Sequence, residues 1–187
     1  MMEKILVLKY GALGDFLLAT GPFKAIRFHH ATAHITLLTT PPFVGLGEAC
    51  THFDHVIAHE RVPSHRIPTL MKQLYPIVKT HYNRIYDLQT SISSSRLFSY
   101  MKLMGWRGDF SGIAEGCSLP HRNPLRDYYH TLERQADQLK DAGIQDTPSP
   151  DLSFLLKTPL SPKIDTCIPR NKPYALFLQQ CRLFLVV

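Results

Sequence analysis

The chain has a single tryptophan and four cysteines in 187 residues, and none of its apolar runs is long. A spanning helix needs roughly 20 consecutive apolar residues, and no stretch approaches that length. Cys50, Cys117, Cys167 and Cys181 are scattered without a C-x-x-C pair. That spacing argues against a zinc site or a disulfide framework and for reduced thiols. His52, His55 and His59 are close in sequence, but no carboxylate or cysteine completes a ligand set, so no metal is expected. The N-terminal MMEKILVLKYGALGD lacks the pattern of a signal peptide, because its apolar run ends in a glycine loop rather than a cleavage site. The expected compartment is the cytoplasm. There is no internal repeat and no dense basic run, which argues against a nucleic-acid tail.

What is present is globular. Hydrophobic residues make up 44% and charged residues 19% of the chain, enough for one domain with a real core. The formal net charge is +6. It favours anionic partners such as nucleotides, phosphorylated glycolipid or an acidic membrane surface.

Short β-branched and leucine-rich runs alternate with helical periodicities. Strands are expected at Lys4–Lys9, His34–Leu38, His55–Ala58 and Arg84–Leu88, with a short fifth near Asp109–Ser111. Helices are expected over Asp15–His29 with a kink at Pro22, over Phe43–Glu48, and over Ile67–Thr80 with Leu70, Leu74, Ile77 and Val78 inward. Two more are expected at Ser93–Met104, with Leu97, Tyr100, Met101 and Met104 inward, and at Tyr128–Ala142, ending at Gly143. Strands alternating with helices imply βαβ units and a parallel sheet. The proline-rich stretch 148–173 reads as a departure toward a linker, and Tyr174–Leu178 as a further strand.

Ligands of open parallel sheets bind at the carboxyl ends of the strands. The loop Tyr10–Gly14, after the first strand, lies at such an end. Gly11 and Gly14 would permit a tight turn and close approach of a ligand. Three readings of this loop stay open. A dinucleotide fingerprint would need G-x-G-x-x-G and an acidic residue after the second strand, where the chain has Leu38-Thr39-Thr40-Pro41. A structural turn would use Asp15 as a helix N-cap. A substrate loop would present the Asp15 carboxylate to a hydroxyl.

The segment KILVLKYGALGDFLLATGPFKAIR followed by AHITLLTTP, then HFDHVI, YNRIYDLQTSISSS and GDFSG, resembles the lipopolysaccharide heptosyltransferase family, glycosyltransferase family 9. The resemblance runs from about Lys4 to Leu156. It implies a Rossmann-like parallel α/β sheet with helices on both faces, the N-terminal half of a GT-B glycosyltransferase. It also implies inverting transfer of heptose from ADP-heptose, the nucleotide-sugar donor, to lipid A carrying the acidic sugar Kdo, or to a growing core oligosaccharide, at the inner face of the inner membrane. The general base of the family's Gly-Asp motif maps onto Asp15. No D-x-D run suggests a metal-held sugar nucleotide, and no cofactor is expected.

Arg61, His65 and Arg66, in the loop after the third strand, are candidates to hold a phosphate or carboxylate of the acceptor. Gln89, Thr90 and Ser91, after the fourth strand, are candidates for sugar hydroxyls, the alternative being helix capping by Ser91 or Ser93. Trp106 reads as core rather than as a sugar platform. By this resemblance the acceptor domain is residues 1–156, a linker follows at 157–173, and 174–187 begins a truncated donor domain. The donor glycine loop and lysine are not found near Leu178, so this chain alone is expected to be a weak catalyst or none.

Overall fold

The computed structural model describes residues 2–60, 62 and 66–157. They include six strands: β1 (Lys4–Leu8), β2 (His34–Thr39), β3 (His55–Ala58), β4 (Arg84–Asp87), β5 (Asp109–Gly112) and β6 (Leu119–Pro120). The helices are α1 (Leu13–Leu18), α2 (Thr20–His29), α3 (Val44–Ala49), α4 (Ile67–Lys79), α5 (Ile92–Leu103) and α6 (Thr131–Asp141). The described residues up to Leu155 form one compact unit. The stretch expected to leave the domain as a linker from 148 instead begins by packing on it: Asp151 N–H donates to Thr20 Oγ1 at 3.1 Å and Phe154 is buried in its core. The remainder of that linker beyond 157, the strand Tyr174–Leu178, Cys167 and Cys181 lie outside the described residues.

All strand pairings are parallel, in the order β3-β2-β1-β4-β5-β6. This is the doubly wound order, whose switch point falls between β1 and β4. β1 is buried on both sides, and successive residues divide between two cores. Ile5 and Val7 join Phe16, Phe23, Ile26 and Leu139 on the face of α1, α2, α3 and α6. Leu6 and Leu8 join Leu70, Leu74, Leu97 and Phe110 on the face of α4 and α5. A continuous apolar run is what a strand covered by helices on both faces requires.

The first expected helix is two helices rather than one kinked helix. Pro22 has no N–H to offer the Leu18 carbonyl and its ring crowds that carbonyl, so α1 ends at Leu18. Within α2 the same proline sits in the first turn, where its missing N–H has no consequence. The last expected helix starts later, at Thr131, after a 3-10 turn at Arg126–Tyr128. Its end is as expected. Gly143 takes φ +94°, its N–H donates to Lys140 O (3.0 Å), and Ile144 N–H donates to Leu139 O (2.8 Å). This is a Schellman closure with the apolar pair Leu139 and Ile144 in the core.

The stripe of α4 is buried as expected at Leu70, Leu74, Ile77 and Val78. On α5 the buried set is Leu97, Phe98 and Met101, while Tyr100 and Met104 are half-buried. Trp106 is core: it is 2% exposed and its Nε1–H donates to Tyr82 O at 3.0 Å. β6 is too short to have left a period in the sequence.

Candidate functional site

The switch point joins two strand exits. After β1, Tyr10 N–H donates to Gln89 Oε1 at 3.0 Å, so the first loop hangs on the fourth. After β4, the Asp87 carboxylate turns the chain: its Oδ1 accepts from the N–H groups of Gln89 and Thr90, both at 3.0 Å. Thr90 is held at φ +41°, an uncommon conformation for a residue with a branched Cβ. Ser91 then caps α5, with a reciprocal capping box to Ser94, so the capping reading of Ser91 holds.

Between these exits and the end of β3 lies a cleft of about 410 Å³. Tyr10, His59 and Val62 line one side; Gln89, Ser91 and Ser93 line the strand exit. Arg96, Leu97 and Tyr100 close it from α5, and Leu70 from α4. The His59 ring is buried and stacks on Tyr10, centroids 5.6 Å apart and planes at 17°. Burial lowers the pKa of His59.

Of the expected site residues, Gln89 lines this cleft. Thr90 does not, and serves the turn. Arg66 is exposed at the N-cap position of α4 and is not among the lining residues. Arg61 and His65 lie outside the described residues.

Gly11 has φ +95°, and a Cβ there would collide with the Phe43 ring. It is required by its own backbone and by close packing. Gly14 differs from the expectation of a turn glycine: it lies in the first turn of α1, and a Cβ there would meet open space. Asp15 is not an N-cap, because that position belongs to Ala12 and no side chain caps the helix. Asp15 is exposed in the first turn of α1, with no hydrogen bond or ion pair to its carboxylate among the described residues. It stands on the α1 side of the Gly11 loop, outside the residues that line the cleft.

The side of the loop that carries Asp15 holds charges that the sequence reading missed. Lys9 continues the alternation of Ile5 and Val7, is 4% exposed, and donates from Nζ to Leu88 O at 3.2 Å. Burial lowers its pKa; Asp15 opposes that, Arg134 adds to it and Asp87 opposes it. The Asp87 carboxyl is 0% exposed, and burial pushes its pKa up to about 6 against the pull of the Ser94 hydroxyl, the Thr90 and Gln89 N–H groups and Lys9. Arg126, also lowered by burial, senses Asp127, Arg134 and Asp87 in turn. Lys9 thus lies within electrostatic reach of both Asp15 and Asp87, Arg126 of Asp87, and Arg134 of Lys9 and Arg126. From the same helix, Gln138 Nε2 donates to Asp87 O (3.0 Å) and Ser111 O (3.3 Å), fixing the ends of β4 and β5. The strand-end rule could have found Lys9, Tyr10 and His59. No sequence period points to Arg126 or Arg134.

Among the described residues no group of three or more His, Cys, Asp or Glu could hold a metal, and no helix is long and apolar enough to cross a membrane.

No protein-family model and no curated protein matches the chain in sequence. In structure it is similar to the glycosyl transferase family 9 from Veillonella parvula DSM 2008, at TM-score 0.65 and 18% identity, over 79% of this chain and 43% of that one. It is also similar to E. coli ADP-heptose lps heptosyltransferase II, at TM-score 0.60 and 16% identity, over 88% of this chain and 49% of the other. E. coli heptosyltransferase WaaC with ADP-2-deoxy-2-fluoro heptose gives TM-score 0.59 and 14% identity, over 83% of this chain and 55% of that one. The chain therefore spans about half the length of these structures. The described unit has the Rossmann-like fold that they contain, a parallel sheet covered by helices on both faces, as the sequence resemblance implied.

Proposed function

We propose that this chain is the acceptor-binding half of an inverting glycosyltransferase of the heptosyltransferase type. The observation that carries the reading is Asp15: an exposed, unpaired carboxylate beside the switch point of a sheet shared with heptosyltransferase structures. A carboxylate in that state is free to accept a proton. In the reaction proposed, Asp15 takes the proton of an acceptor hydroxyl while the hydroxyl oxygen bonds to the anomeric carbon of the donor sugar. The bond from that carbon to the diphosphate oxygen breaks, and the nucleoside diphosphate leaves from the opposite face with the electron pair. A well-placed base contributes about 10²–10⁴-fold.

The acceptor then lies across the Gly11 loop. Its reacting hydroxyl is at Asp15, its anionic groups face Arg126 and Arg134, and a neighbouring sugar sits in the cleft of Tyr10 and Gln89. Such an acceptor is lipid A with Kdo, or the inner core built on it, and the donor is ADP-heptose. Arg61 and Arg66 are the further candidates for its phosphate or carboxylate. Leu13 and Ile92, 54% and 73% exposed at the first positions of α1 and α5, are on the side that would meet a lipid-bearing acceptor. With the net charge of +6, they support peripheral work at an anionic membrane face.

The test supplies the chain with ADP-heptose and a delipidated Kdo-bearing acceptor. Calorimetry reads acceptor binding and mass spectrometry reads transfer. Asp15→Asn should keep acceptor affinity within a few-fold and reduce any transfer by about 10²–10⁴-fold. Transfer that survives the substitution would remove Asp15 as the base.

A further inference from the structure

One side chain in the cleft carries polar atoms that the fold does not use. His59 is the first residue after β3; its N–H continues the ladder to Thr39 O at 2.7 Å, and it is 4% exposed. Among the described residues neither ring nitrogen has a hydrogen-bond partner, although the ring lines the cleft. A buried imidazole with both nitrogens unpaired costs stability. A phenylalanine would give the same stack on Tyr10 without that cost. A residue held on these terms has its partners in whatever enters the cleft.

The chemistry of those partners follows from the ring's state. Desolvation lowers its pKa and no charged neighbour opposes this, so the ring is neutral near pH 7. Tyr10, Tyr100 and Arg96 are the titratable side chains that, among the described residues, share the cleft with it. A neutral imidazole offers one N–H and one lone pair. A carboxylate or a sulfate only accepts, so it matches one nitrogen and repels the other. A hydroxyl both donates and accepts, and adjacent sugar hydroxyls match both nitrogens. Arg96, exposed at the mouth of the cleft on α5, is the group suited to an anion.

We propose that His59 is a specificity-determining residue of this cleft, reading the hydroxyls of a sugar through its two unpaired nitrogens while Arg96 takes the anionic group of the same ligand. The inference rests on the acceptor reading of the cleft and adds to it a contact at the end of β3. It makes the cleft selective for a hydroxyl-rich acid over a simple anion.

The experiment uses the full chain labelled with ¹⁵N-histidine and titrated with free Kdo and, separately, with inorganic sulfate. Kdo should shift the ring signals of His59 with the ring still neutral, and sulfate should leave them in place. His59→Phe, which keeps the stack, should weaken Kdo binding at least tenfold. His59→Gln, which keeps one donor and one acceptor, should restore part of it. Unfolding curves establish that both variants fold. Equal Kdo affinity in wild type and His59→Phe overturns the assignment of His59 while leaving the cleft as an acceptor site. Absence of Kdo binding in the wild type overturns both readings.

Discussion

Gly11→Ala is the most informative single change in the loop. Two independent costs arise at one atom. The backbone sits at φ +95°, where an L side chain costs about 1–2 kcal/mol. The new methyl also meets the edge of the Phe43 ring, which is stacked on Phe16 at 5.5 Å and packed against the core. Displacing a packed side chain costs typically about 1–3 kcal/mol. The sum is about 2–5 kcal/mol, within the roughly 5–15 kcal/mol stability of a domain. Urea unfolding followed by circular dichroism measures it. In a Phe43→Ala background the steric part vanishes and only about 1–2 kcal/mol should remain. The double-mutant cycle should therefore show a coupling of about 1 kcal/mol or more. Additive effects of the two substitutions would refute the contact, and a Gly11→Ala cost below about 0.5 kcal/mol would refute the backbone argument too.

His59→Phe should raise stability by about 1–2 kcal/mol, because it removes buried, unpaired nitrogens; a loss in urea unfolding would show that the ring has a structural partner. Asp87 predicts a pH dependence. Its folded pKa of about 6 lies above the ordinary 3.8, so the folded state holds the proton more tightly. Its contribution is fully favourable below about pH 4 and is lost as pH rises through about 6, by up to about 3 kcal/mol. Asp87→Asn keeps an oxygen for the Gln89 and Thr90 N–H groups. Wild type should gain stability relative to this variant between pH 7 and pH 4, and parallel curves would contradict the buried-carboxylate reading.

The architecture was legible because its signals are local. Each strand is a short apolar run closed by a turn residue, and Leu70, Leu74, Ile77 and Val78 mark the α4 face by spacing alone. Gly143 announced the end of α6 because only a left-handed residue closes that helix without strain. Pro22 was visible, but whether it kinks or breaks a helix depends on which carbonyl its ring meets, and that is Leu18. Tyr100 was expected inward and Phe98 was overlooked: the structure packs Phe98 on Trp106 and Phe110 and leaves Tyr100 half-buried at the cleft.

The candidate site divides in the same way. Read from the chain alone, a glycine loop and an aspartate follow the first strand of a parallel sheet, and Gln89 follows the fourth. The packed sheet added that these strands are neighbours, that Gln89 holds Tyr10, and that Asp15 is outside the residues lining the cleft. It alone brought Arg126 and Arg134 toward Lys9 and Asp87, and left His59 buried with both nitrogens free. The reason is physical. Turn, strand and cap preferences act over a few residues and are written in the chain, whereas charge pairing and desolvation act through space, between residues the sheet order brings together.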